Sequence, residues 1–167
     1  MIEIIPNWHP IFVHFTVALL SISVLLFWLA RLFPDKPYSA ELLMVAHWNL
    51  LLGSALTVVT VAAGFIAFNT VQHDDPSHLV MLEHRNLALG TLLLFAALVI
   101  WRLRAGTRQQ SPSWGFLMAA LVAFALLTST AWHGAELVYQ HGLGVRSLPD
   151  IVPPDAAGGH GHGDHAH

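Results

Sequence analysis

Four long apolar runs, each closed by a short polar break, leave this chain very little choice of architecture. They cover roughly residues 10–32, 42–68, 84–102 and 114–139 of 167. About 20 apolar residues of helix are enough to cross the hydrocarbon of a bilayer. Inside lipid every backbone N–H and C=O must be satisfied without water, so runs of this length are expected to span as helices. The sequence therefore predicts an all-α integral membrane protein, an antiparallel four-helix bundle in residues 1–147. A Pro-, Gly- and His-rich tail, 148–167, is too polar to pack and is expected to be disordered. Charged residues make up 10% of the chain, against roughly 25% in a soluble domain. That is too few to cover a water-facing surface, and it excludes a soluble enzyme. No basic face exists for nucleic acid. Cysteine is absent, which excludes disulfides, thiolate metal centres, iron–sulfur clusters and thioether-attached haem.

The breaks between runs carry the orientation. Arg31, Pro34, Asp35 and Lys36 close the first run, which is too long and too continuous for a cleaved signal peptide. The third has a polar lead-in from Ser77 and stops at Arg102 and Arg104, and Gly142 is a candidate helix cap after the fourth. Four spans put both termini on one side. In the two loops on the other side Arg31, Lys36, Arg102, Arg104 and Arg108 outnumber Asp35 and Glu41. On the terminal side Arg85 and Arg146 are outnumbered by carboxylates, with Asp74, Asp75 and Glu83 among them. Positive loops stay cytoplasmic, so both termini and the 73–78 loop are expected in the periplasm of a bacterial inner membrane.

An internal echo reads H-x-N-L-x-L-G at residues 47–53 and again at 84–90. Between antiparallel spans it would be an inverted repeat, or a chance match of simple sequence. In either case Gly53 and Gly90 suit close helix approach, and Asn49 and Asn86 suit bonding across helices. The Thr128-Ser129-Thr130 run reads as helix–helix glue rather than a transport path.

The 12 histidines are the feature that needs explaining. Ionisable groups inside a span are costly and usually functional. His14 lies 17 residues from Arg31, His84 lies 18 from Arg102, and His133 lies 19 from Trp114. At 1.5 Å per residue all three sit roughly 25–29 Å from the cytoplasmic boundary. They form one layer near the outer edge of the membrane. His9, His73, His78 and His141 lie just above it, and His47 stands alone at the opposite end. Histidines from several helices at one depth suit a b-type haem gripped by two imidazoles inside a bundle.

On that reading His14 and His84 are the axial pair, and His141, His133 and His9 are further candidates. Arg85 suits a haem propionate, Trp8 or Trp132 suits the ring edge, and Glu136 could orient His133. One haem is expected rather than two, because His47 has no histidine partner on its side. The protein would pass electrons to a redox partner. A second reading is a copper- or zinc-handling protein. It would use His9, His14, the loop residues His73, Asp74 and His78 with Glu83 nearby, and the tail residues His160, His162, His165 and His167. A third is a structural or partner-binding subunit whose histidines only satisfy backbone groups. No dinucleotide fingerprint, phosphate loop or nucleophile elbow is present.

Two segments carry a family resemblance. His9-Pro10-Ile11-Phe12-Val13-His14-Phe15 and Leu137-Val138-Tyr139-Gln140-His141-Gly142-Leu143-Gly144-Val145 resemble the hallmark segments of the bacterial four-span membrane family catalogued as domain of unknown function 2231. The resemblance runs from about residue 8 to 146, and His84 with Asn86 also fits it. The chain departs where it reads His133-Gly134-Ala135-Glu136, which makes His133 and the tail particular to this sequence. The resemblance implies four spans and singles out His9, His14, His84 and His141. It implies no activity.

Overall fold

The structure is a computed structural model describing residues 8–71, 73–105 and 110–144. Its elements are α1 (His9–Leu32), α2 (Ser39–Thr70), α3 (Asp75–Arg104) and α4 (Trp114–Tyr139). All four are long and apolar enough to cross a membrane. Local chemistry sets their ends. Pro10 and Pro76 sit in the first turns of α1 and α3, where the missing N–H costs nothing. Asp74 accepts the Ser77 amide and Ser113 accepts the Phe116 amide, capping α3 and α4. The Asp74 cap is why α3 starts nine residues before the apolar run, at Asp75 rather than 84. After α4, Gly142 takes a φ of 64°, and the Leu143 amide returns to the Leu137 carbonyl. Gly142 therefore turns the chain two residues beyond the helix cap, Gln140.

The helices form an antiparallel four-helix ring. α1 packs on α2 and α4, and α3 packs on the same two, while the diagonal helices α1 and α3 meet only through side chains, His9 with His84 and Phe27 with Arg102. One half of the bundle is solid. Leu20, Phe27, Leu50, Phe95, Leu98 and Leu117 are buried there, and the Phe27 and Phe116 rings meet edge to face at 5.2 Å. Gly53 admits the closest approach, since a Cβ there would lie 2.7 Å from Leu20 Cδ2. At Gly90 the nearest side chain is an ordinary 3.4 Å away. Asn49 bonds the Val45 carbonyl of its own helix, and Asn86 accepts from Arg85, so neither links helices. The outer faces present Phe15, Leu25, Leu93 and Trp132 to the bilayer. The other half of the bundle is hollow.

The buried positions repeat. Thr16, Leu20, Ser23 and Phe27 of α1 correspond, shifted by 75 residues, to Thr91, Phe95, Leu98 and Arg102 of α3. Ala46, His47, Leu50, Gly53, Thr57 and Thr60 of α2 correspond, shifted by 70, to the buried or half-buried positions of α4 from Phe116 through Thr130. The bundle is therefore two like hairpins, α1–α2 and α3–α4, related by a pseudo-twofold axis along the bundle. This direct repeat pairs parallel helices. It differs from the H-x-N-L-x-L-G echo, which joins antiparallel ones and places His47 in the solid half, away from His84.

Candidate functional site

The hollow half holds a mainly apolar cavity of about 610 Å³, open on one side. Its size falls among ligand pockets, which run roughly 300–1,000 Å³. The two hairpins furnish its polar groups in matched pairs. In the first, His9 Nδ1–H donates to the Thr60 carbonyl at 2.9 Å, and the Thr16 and Thr60 hydroxyls bond at 2.8 Å. In the second, His84 Nδ1–H donates to the Thr130 carbonyl at 3.0 Å, and the Thr91 and Thr130 hydroxyls bond at 2.9 Å.

Each imidazole lies over a glycine of the partner helix. A Cβ at Gly64 would come within 3.0 Å of His9 Cε1, and one at Gly134 within 3.1 Å of His84 Cε1. The glycines let each ring lie flat enough on the helix to reach the carbonyl one turn earlier. The two rings then face each other across the axis, their centroids 6.1 Å apart and their planes 83° apart.

This geometry decides what the pair can do. A carbonyl only accepts, so in the neutral ring the proton sits on Nδ1 and the lone pair on Nε2. That is the tautomer of a metal-binding histidine, with a backbone carbonyl fixing the ring from behind. An imidazole nitrogen binds a transition metal at about 2.0–2.1 Å, so two trans imidazoles on one metal have ring centres about 6 Å apart. The 6.1 Å separation of the ring centres is compatible with that spacing. Among the described residues no cluster of three or more metal-ligating side chains occurs, so the site offers two protein donors and a large cavity.

The other histidines are placed differently. His14 lines the same cavity, but it is exposed and its Nδ1–H bonds the Pro10 carbonyl of its own helix. His133 bonds the Ser129 carbonyl, and its Nε2 is 3.9 Å from Glu83, so Glu83 rather than Glu136 is its carboxylate neighbour. His73 and His78 stack with ring centroids 5.1 Å apart, and the Nε2 of one is 2.9 Å from the Nδ1 of the other. The Asp74 carboxylate is engaged by the Ser77 hydroxyl and amide, which hold it below the ordinary aspartate range. His141 is half-buried just past α4 and adds a smaller electrostatic pull on Asp74. Arg85 lines the cavity with its guanidinium 5.4 Å above the Phe68 ring. Trp8 stacks on Phe12, and Trp132 faces outward. His160, His162, His165 and His167 lie outside the described residues.

The structure thus brings His9 together with His84 and sets His14 apart from them. Thr16, Thr60, Gly64, Thr91, Thr130 and Gly134 were not among the expected site residues. Their signal is present in the sequence. His-x6-Thr followed by Thr-x3-Gly occurs once in each hairpin, at residues 9–16 with 60–64 and at 84–91 with 130–134.

A family model described as "Predicted membrane protein (DUF2231)" matches residues 6–147. No curated protein and no solved structure matches.

Proposed function

The chain belongs to DUF2231, a family of predicted membrane proteins, and from the geometry of its hollow end we propose that this end is a b-type haem site serving one-electron transfer. His9 and His84 are the axial pair. The observation that carries the reading is the geometry of these two rings, backed by carbonyls and facing each other across 6.1 Å beside the cavity. The cavity favours a flat macrocycle over a bare ion, because 610 Å³ of apolar space exceeds what an ion needs. Arg85 is the cationic partner for a propionate. The group would supply reversible one-electron chemistry, with a potential set by its axial ligands and by burial. The chain's own part is to fix both imidazoles through Thr60 and Thr130 and to keep water away with the apolar wall. In this reading the site faces the periplasm of a bacterial inner membrane and exchanges electrons with a redox partner.

A two-coordinate copper ion between the same imidazoles is the competing reading, favoured by the lack of a third donor among the described residues. Both are tested on detergent-purified protein from haem-replete cells. Haem binding gives a haem absorbance spectrum that is lost or converted to a five-coordinate form in His9→Ala and His84→Ala. His47→Ala, in the solid half, leaves it unchanged. Stoichiometric copper without haem transfers the site to the second reading. Protein with neither cofactor overturns both.

A further inference from the structure

His14 breaks the twofold pattern of the cavity. Its counterpart in the second hairpin, by the shift that matches His9 to His84, is Leu89, and both line the cavity. The first hairpin therefore places an imidazole where the second has an aliphatic chain. His14 is exposed, between the exposed Ile11 and Phe15, on a face that looks to lipid. A polar ring on such a face is costly and needs a reason. Its Nδ1–H is spent on the Pro10 carbonyl, and no partner for its Nε2 occurs among the described residues. In the neutral ring that Nε2 is an acceptor. A ligand for it must bring a hydrogen-bond donor, an O–H or an N–H, so a bare phosphate group, which offers only acceptors, does not fit. The ligand must also arrive through the bilayer and lie along the apolar wall made by Val13 and Val17. His14 is five residues from His9, roughly 7–8 Å along the helix.

We infer that His14 marks the binding position of a lipid-soluble quinol on the bilayer-facing wall of the cavity. The inference rests on the haem reading for the choice of a redox carrier, and on the His14 geometry for the hydrogen-bond donor.

The test is calorimetric titration of the full chain in detergent, reduced with dithionite under argon so that no electron moves. The probes are a decyl hydroquinone and its dimethyl ether, which keeps the shape but has no O–H. The hydroquinone should bind saturably and about tenfold more tightly than the ether, the scale of one hydrogen bond out of water. His14→Leu, which copies Leu89, should bring the hydroquinone down to the ether's affinity and leave the absorbance spectrum unchanged. Equal binding of ether and hydroquinone, unchanged binding in His14→Leu, or no saturable binding overturns the inference. The spectrum of the same sample reports the haem reading separately. Haem without hydroquinone binding refutes this inference alone, and hydroquinone binding without haem refutes that reading alone.

Discussion

Gly64→Ala tests how the imidazoles are held. A Cβ at position 64 would lie 3.0 Å from His9 Cε1 and 3.1 Å from Nδ1, tighter than ordinary contact. The ring must retreat by a few tenths of an ångström, yet it is held at 2.9 Å by the Thr60 carbonyl. Weakening that bond costs about 0.5–1.5 kcal/mol. Alanine in place of glycine in a helix interior returns about 0.5–1 kcal/mol. The two terms nearly cancel, so thermal unfolding should change little. On the proposed haem reading the site has no such compensation, because the support behind a metal-binding histidine governs where its lone pair points. Loss of that support typically lowers affinity about 10–100-fold. Gly134→Ala acts on His84 in the same way but more gently, since the distances there are 3.1 and 3.5 Å. The assay is haem titration into purified apoprotein, with tryptophan fluorescence following unfolding. Unchanged haem affinity in both variants would refute the reasoning. So would a loss explained by unfolding of the whole bundle.

Other glycines separate packing from the site. Gly53→Ala drives a methyl to 2.7 Å from the buried Leu20 side chain and should lower the unfolding temperature without changing the cavity's ligand affinity. Gly90→Ala has room at 3.4 Å and should stabilise by up to about 1 kcal/mol; a measured loss would mean that α3 and α4 pack more closely than described. Because Ser77 lowers the Asp74 pKa from 3.8, the α3 cap should be complete above pH 3.8 and fail as pH falls through the lower folded value. The protection of the Ser77 amide, its exchange measured against the intrinsic rate at each pH, should fall only at acid pH, and protection lost at neutral pH would refute the cap. A periplasmic reporter fused after His167 should be active, and activity instead from an insertion in the 105–111 loop would reverse the proposed orientation.

Fold and site were legible to different depths. The four spans follow from apolar length alone, because lipid leaves no other way to satisfy the backbone. Residue counts also suggested a clustering of histidines at one end, but not their levels: the hairpin shift sets Leu89, not His84, opposite His14. The pairing within the cluster was not readable, and Arg102 shows why. Counting depth from Arg31 and Arg102 as equivalent markers puts His14 level with His84. In the structure Arg102 is a buried guanidinium 5.5 Å above the Phe27 ring, bonded to the Gln110 carbonyl. It corresponds to Phe27 rather than to Arg31, and that shift moves the partner of His84 from His14 to His9. Arg31 instead lies over Trp114, 4.7 Å from the ring centre. The α3 start was hidden for a similar reason: its first turns are polar, and only the Asp74 cap makes them helical. The hairpin repeat was obscured because its core positions changed residue type, as in Leu20 and Phe95. The shared polar residues and glycines, His, Thr, Thr and Gly, are confined to the site.

The central claim is that His9 and His84, and not His14, are the axial pair of a haem. The direct measurement is the absorbance spectrum of purified wild type beside His9→Ala, His84→Ala and His14→Ala, in ferric and ferrous forms and with carbon monoxide. The account predicts a six-coordinate spectrum in wild type and in His14→Ala, with little carbon monoxide binding. It predicts loss of haem, or an opened site that takes up carbon monoxide, in the other two variants. Wild type devoid of haem after haem-replete expression, or a spectrum that changes in His14→Ala and survives in His9→Ala, would contradict it.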